Sequence, residues 1–350
     1  MKDKLLFSVL FFVFFFFLFP KNVFALVINH NSVADFDKIP TQWLEAAKRL
    51  TLHYAHTSHG SQIISGIDAL ERQNSTYSIA VREATTEGLP PAENPSALRI
   101  YDGNPPETYI EPGDYWDTSV AIDALDRTRA VVRTGRYNYS MWSWCGQQSS
   151  NNATTVQGYL SNINQLETEF PNMRFIYMTG HTDGTDTANT PGTLKYNNKL
   201  VRDYAIANNK VLFDFADIES YSPDGTYYPT TTDACAWCTT WCSSHPNDCT
   251  GLASSCAHSH PFNCKLKAKA FWYMMARLAG WDGATIIPTS SCVMRQNGDA
   301  DCNGAVNILD FEIWRREFLR IDTTTKADFD GTGGVTILDF EIWRRGFLGV

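Results

Sequence analysis

The chain has 350 residues, enough for two domains and a sizeable core, with 43% hydrophobic and 13% aromatic residues. A formal charge of −9, with no Lys/Arg run beyond the N-terminus, argues against a nucleic-acid-binding protein. Ten Trp and fifteen Tyr suit contact with polar organic surfaces such as sugars, although aromatics fill cores equally well.

Lys2 and Lys4 precede an apolar run from Leu5 to Phe19, followed by Pro20 and by Ala25 within Val23-Phe24-Ala25. A basic head, an apolar stretch and a small-residue exit read as a cleavable signal peptide over residues 1–25. An uncleaved anchor is the alternative, but the run is short for a hydrocarbon core of ~30 Å. The mature chain is therefore expected outside the cell, with no stable membrane span.

From Leu50 strand and helix patterns alternate. Leu50–Thr57 reads as a first strand, followed by a helix with Ile63, Ile64, Ile67 and Leu70 on one face. Leu98–Tyr101 is a second strand, followed by a helix holding Ile122, Leu125 and Val132. Tyr137–Trp144 is a third. Val156, Tyr159, Leu160, Ile163, Leu166 and Phe170 form the clearest helical stripe. Met173–Met178 is a fourth strand, Lys195–Asn208 a helix, Val211–Phe215 a fifth strand and Lys265–Leu278 a last helix. This alternation over residues 26–287 argues for an α/β domain with a parallel sheet covered on both faces; an irregular α+β domain is the alternative.

Cys235, Cys238, Cys242, Cys249, Cys256 and Cys264 fall within thirty residues. In a cytosolic protein such spacing suggests zinc. Behind a signal peptide it favours disulfides, with the pairing open. Cys292 and Cys302 form a further candidate pair, which leaves Cys145 over.

Residues 288–297 read as a linker. Behind it, the segment Asp299 to Arg316 returns twenty-nine residues later as Asp328 to Arg345. Each copy has oxygen-bearing side chains at loop positions 1, 3, 5 and 12, Gly at 6 and an apolar residue at 8, as a twelve-residue calcium loop requires. Asp299, Asp301, Asn303 and Asp310 serve the first loop, and Asp328, Asp330, Thr332 and Asp339 the second. Asn307 and Thr336 hold position 9, directly or through water. The module from 298 to 350 has ten acidic and six basic side chains, a surplus that two Ca2+ ions would neutralise. Two such loops, each leading into one helix, resemble a type I dockerin. The resemblance implies calcium-dependent docking to a cohesin-type domain on a scaffold or cell surface. Thr332 at position 5 and the Trp-Arg-Arg of each helix depart from the usual pattern.

In a parallel α/β sheet chemistry collects at the carboxyl ends of the strands. The first strand ends in His56-Thr57-Ser58-His59-Gly60, with Ser58 at the turn into a helix. The second ends in Asp102-Gly103-Asn104, the third in Trp144-Cys145-Gly146-Gln147-Gln148, and the fourth in Thr179-Gly180-His181-Thr182-Asp183. Cys256-Ala257-His258-Ser259-His260-Pro261 precedes the last helix. A serine, a backbone glycine, a side-chain amide and a late histidine are the parts of an acyl-transfer site. Their order resembles the SGNH hydrolases, a flavodoxin-like α/β/α family that includes carbohydrate esterases. The resemblance implies Ser58 as nucleophile, Gly103 and the Gln147 amide beside the Ser58 N–H in the oxyanion hole, and His258 or His260 as base. It also implies an acyl ester, chiefly an acetylated glycan, as substrate. His-Thr-Ser stands where the family has Gly-Asp-Ser, and Cys-Gly-Gln where it has Gly-x-Asn-Asp. The acid three residues before the His is missing, so Asp217, Asp233 or no acid orients the base. Two other readings remain: a zinc site from His56, His59, His181, His258 and His260, or a non-catalytic glycan-binding module.

Overall fold

The computed structural model describes residues 25–83, 88–104, 110, 113, 116, 124–184, 190–283, 297–301, 305–322 and 324–349. The apolar leader, most of the linker, Ile122, Cys292, Cys302 and Asn303 lie outside the described residues.

Seven strands are present among the described residues: β1 (Leu26–Ile28), β2 (Thr51–Ala55), β3 (Ile79–Glu83), β4 (Leu98–Asp102), β5 (Tyr139–Trp142), β6 (Arg174–Met178) and β7 (Val211–Phe213). The helices of the same domain are α1 (His30–Ala34), α2 (Thr41–Ala47), α3 (Ser61–Gln73), α4 (Ala124–Val132), α5 (Ala153–Glu169), α6 (Leu194–Ala207), α7 (Phe215–Ser220), α8 (Ala236–Ser244) and α9 (Pro261–Leu278). All strand pairs are parallel, in the order β1-β7-β6-β5-β2-β4-β3. The five expected strands are there, and β1 and β3 are added at the two edges.

Strand side chains alternate between two cores, as the period of two requires. Leu52, Tyr54, Leu98, Ile100 and Met141 join α3 and α9 on one face. Ala55, Tyr101, Trp142, Phe175 and Tyr177 join α4, α5 and α6 on the other. The result is three layers, helix, sheet and helix. Helix α9 is buried along most of its length, with Trp272, Met274 and Met275 fully covered. Its N-terminus approaches α3 so closely that a Cβ on Gly66 would lie 2.1 Å from the Cys264 carbonyl oxygen. Only glycine fits there.

Counted across the sheet, chain connections leave β2 toward β4 on one side and continue from β5 toward β6 and β7 on the other. The switch point, where a crevice opens at the carboxyl edge, therefore lies between β2 and β5.

The six clustered cysteines pair with near neighbours: Cys235–Cys238, Cys242–Cys249 and Cys256–Cys264. They staple an irregular segment that carries little regular structure besides α8. Among the described residues no helix is long and apolar enough to cross a membrane.

The repeat forms α10 (Ile308–Phe318) and α11 (Ile337–Leu348). The Trp314 indole N–H donates to the Thr336 carbonyl at 2.8 Å, and that of Trp343 donates to the Asn307 carbonyl at 2.9 Å. Equivalent residues of the two copies thus exchange equivalent bonds. Ala300, Ala327 and Phe329 complete the small core around these indoles.

Candidate active site

Ser58 follows β2 in a turn, and α3 begins three residues later with Gly60 as its N-cap. A Cβ on Gly60 would lie 2.3 Å from the His56 Cβ and 2.5 Å from the Ser143 Oγ, so a side chain there would displace the turn. The half-buried Ser58 hydroxyl lies 2.8 Å from Nε2 of His258 and 2.7 Å from the sulfur of Cys145. These three residues come from the ends of β2 and β5, on either side of the switch point, and from the turn before α9.

His258 is exposed and sits in left-handed backbone, φ 62°. A non-glycine residue in that region costs on the order of 1–3 kcal/mol and persists where its surroundings fix it. The fixing groups are at hand. The Ser259 N–H donates to the Cys256 carbonyl at 3.0 Å, the Gln62 side-chain amide donates to the Ala257 carbonyl at 2.5 Å, and the Cys256–Cys264 disulfide ties the turn to α9.

His260, the other candidate base, is the N-cap of α9. Its Nδ1 accepts the Phe262 N–H at 3.1 Å, with Pro261 in the first helical position. Of the two late histidines, only His258 makes a hydrogen bond to Ser58.

Neither candidate acid reaches His258. Asp217 is held by His30 at 2.5 Å, and that ring stacks on Tyr221. Asp233 lies 3.1 Å from Nε2 of His59. Its segment is placed by the Asp233 N–H, which donates to the Thr182 carbonyl at 2.7 Å. The His258 ring stacks on His59 with centroids 4.8 Å apart, and His59 stacks on His181 at 4.4 Å.

The expected oxyanion donors fare differently. The Gly103 N–H donates to the Tyr54 carbonyl at 3.0 Å, and its own carbonyl accepts from His53. The sheet consumes that N–H, so Gly103 is withdrawn as a donor. The Gln147 side-chain amide, one turn beyond Cys145, has both polar atoms buried without a partner. So does Asn104, which sequence reading had placed beside Gly103 without assigning it a role. Buried unpartnered polar groups are rare, and their gathering at one sheet edge suits a site that binds a polar ligand.

Of the five histidines offered for zinc, His56 and His260 stand apart. His56 is buried, with Nδ1 on the Thr57 carbonyl and Nε2 2.5 Å from the Asp102 carboxylate. His59, His181 and His258 do converge.

Sequence reading left Cys145 without a role. Burial pushes its thiol up, but the facing His59 ring, the Ser58 hydroxyl and the Gly146 N–H outweigh burial and bring it down to about 5. Burial disfavours the His59 cation, yet Asp233 and the Cys145 sulfur raise it. Burial, with the like-charged His59 beside it, pulls His181 down to about 4. The signal in the sequence was the odd cysteine, alone outside a disulfide among the described residues.

A fully buried pair underlies the cluster. The Lys267 ammonium lies 2.6 Å from Glu219, whose other oxygen accepts the Thr182 N–H at 2.9 Å. This bridge joins α9 and α7 to the loop that carries His181.

In the C-terminal module the carboxylates of Asp299, Asp301 and Asp310 come within 4.8 Å of one another, as do those of Asp328, Asp330 and Asp339. One oxygen of Asp328 is buried without a hydrogen-bond partner. Such hard oxygen sets fit calcium. The side chains of Asn307 and Thr336 instead cap α10 and α11, accepting from the Leu309 and Leu338 N–H groups at 2.8 and 3.1 Å. They are spent on the helices rather than turned to an ion as direct ligands. Thr332 donates its hydroxyl to Asp330 at 2.7 Å.

Comparison with protein-family models, with curated proteins and with solved structures returns no match.

Proposed function

We propose that this chain is a secreted serine ester hydrolase acting on acylated, chiefly acetylated, polysaccharide or glycan. The observation that carries this reading is the 2.8 Å contact between the Ser58 hydroxyl and His258 Nε2 at the switch point of a parallel sheet. The order of the five central strands agrees with the flavodoxin-like fold of the SGNH hydrolases. Ser58 gives its proton to His258 as its oxygen attacks the acyl carbon. His258 returns the proton to the leaving sugar hydroxyl, and water then releases the acyl group by the same relay. Donors for the developing oxyanion are the Gln147 amide and the backbone amides of the Ser58 turn. With no carboxylate on His258, the stacked His59, itself fixed by Asp233, holds the ring in place.

A second reading has specific support. The low thiol of Cys145, beside a raised His59 backed by Asp233, is a cysteine nucleophile with base and orienting acid. A fluorophosphonate probe separates the two. Covalent labelling mapped by mass spectrometry to Ser58 supports the serine enzyme; absence of serine labelling with rapid alkylation of Cys145 supports the thiol. Failure of both, with glycan binding retained, would favour a binding module.

The C-terminal repeat is proposed to bind two Ca2+ ions and dock to a cohesin-type domain on a scaffold or cell surface. The repeated loop spacing and the converging carboxylates support calcium. The partner reading draws on a duplicated apolar surface: Ile308 and Leu309 in one copy and Ile337 and Leu338 in the other are all exposed. Titration of the full chain with a cohesin-type domain, with and without chelator, tests it.

A further inference from the structure

The site holds a second set of groups, which shares only His258 with the proton relay. The ligand atoms of His59, Cys145 and His258 lie within 4.8 Å of one another. Two imidazoles and a thiolate are the donor set of zinc and of similar borderline-soft ions. With metal–nitrogen bonds of about 2.0–2.1 Å and a metal–sulfur bond of about 2.3 Å, a tetrahedral ion needs its ligands roughly 3.3–3.7 Å apart. Side-chain rotations of about an ångström close the set.

His59 supplies the independent sign. It is 3% exposed, its Nε2 is held by Asp233, and its buried Nδ1 has no hydrogen-bond partner other than the Cys145 sulfur that it faces. A carboxylate on one ring nitrogen fixes the tautomer that presents a lone pair on the other, the arrangement found around metal-bound histidines. Cys145 is half-buried and His258 exposed, which leaves an entry path from solvent. The overlapping set of His59, His181 and Asp233 is less suited, because it has no thiolate and would take for the metal the Asp233 carboxylate that holds His59.

We infer that His59, Cys145 and His258 bind one zinc-like divalent ion, and that this ion reversibly switches off hydrolysis at Ser58. The effect on hydrolysis rests on the serine-hydrolase reading; the binding does not. The thiol releases its proton to solvent as sulfur takes the metal. His258 gives the metal the lone pair that would receive the Ser58 proton, so the base is lost. The Ser58 oxygen, within 2.8 Å of both Cys145 and His258, is placed to offer the fourth ligand or to be replaced there by water.

The test uses the full chain stripped of transition metals, with excess calcium to occupy the acidic loops. One equivalent of Co2+ is expected to give the intense visible absorption of a tetrahedral ion and a near-ultraviolet thiolate-to-cobalt charge-transfer band. Zn2+ should abolish both. Cys145→Ala should lose the charge-transfer band, and Asp233→Ala should weaken Co2+ binding by about 10–100-fold. Ester hydrolysis should fall in step with zinc occupancy and return on chelation followed by calcium. Absence of the band in the wild-type chain, or an unchanged band in Cys145→Ala, overturns the site; both His59→Ala and His258→Ala then serve as a second check should Cys145→Ala not fold. Zinc occupancy that leaves hydrolysis unchanged, or raises it, overturns the switch. A wild-type chain that hydrolyses no ester but shows the band refutes the hydrolase and leaves the site standing.

Discussion

The hydroxyl of Ser58 and Nε2 of His258 meet at 2.8 Å although 200 residues separate them. Three devices bring them together: the tight turn at Gly60, the switch in strand order beside β2, and the left-handed His258 held by the Cys256–Cys264 staple.

The two late histidines should separate cleanly. His258→Ala removes the base and should lower kcat by about 10²–10⁴-fold with little loss of stability. His260→Ala removes the N-cap of α9, which should cost about 0.5–2 kcal/mol while leaving most activity. Parallel kinetics and urea unfolding of both variants check this, and equal mild losses would contradict it.

The staple should matter for both stability and rate. Replacing Cys256 and Cys264 by Ser frees the turn that carries His258. Loss of so short a loop closure should cost about 2–3 kcal/mol by the chain-entropy estimate. A larger proportional fall in kcat than in substrate affinity would mark loosened catalytic geometry. Unchanged kcat at a temperature where the variant is folded would show that the staple does not position His258.

The succession of five strands and their helices, and the polar strand ends, were legible in the sequence because alternation and turn residues are local signals. The edge strand β1 was hidden by its three-residue length and by the apolar leader just before it, and β3 by Ala80, which blurs the alternation of Ile79 and Val81 with Arg82. The choice between His258 and His260 was not legible, since it depends on a backbone turn and a disulfide pairing that spacing alone leaves open. Gly103 misled for a related reason. Its place after the second expected strand matched an oxyanion donor, but ladder hydrogen bonds continue one residue past the strand and take its N–H. Cys145 needed the third dimension, because its neighbours His59 and Ser58 belong to another strand end.

Acid should weaken the fold through His53. Burial holds this histidine down to about 4, with the hydrogen bond to the Gly103 carbonyl opposing. Because that carbonyl can only accept, Nε2 carries the proton, and Nδ1 accepts from the Ser140 hydroxyl at 2.9 Å. Between about pH 6.5 and pH 4 the unfolded chain binds a proton that the folded chain refuses, so stability falls as pH falls through that window. Urea unfolding at a series of pH values should show a shallower decline in His53→Gln than in the wild type. Identical slopes would remove His53 from the account.

The buried bridge below the site should be intolerant of half-removal. Glu219→Gln leaves the Lys267 ammonium without its carboxylate and should cost about 3–5 kcal/mol. The double change Lys267→Met with Glu219→Gln should recover part of that loss. Thermal unfolding of the two variants reads the difference, and an equal loss in both would show that the charge pairing is not what holds them.

In the chain free of transition metals, chelation should act on the tail alone. The small core around Trp314 and Trp343 buries too little apolar surface to hold six converging carboxylates together unaided. Calorimetry of the full chain should show a module transition that disappears with chelator, while ester hydrolysis by the larger domain persists. A tail transition indifferent to chelator would refute the calcium reading.

The central claim is tested most directly by the rate of ester hydrolysis in Ser58→Ala beside Cys145→Ala, on an acetylated glycan that the wild type turns over. The expected result is a loss on the order of 10³-fold or more in Ser58→Ala, with its circular dichroism and unfolding midpoint unchanged. Retention of most activity in Ser58→Ala, with abolition in Cys145→Ala, would contradict the serine mechanism and move the nucleophile to the sulfur 2.7 Å away.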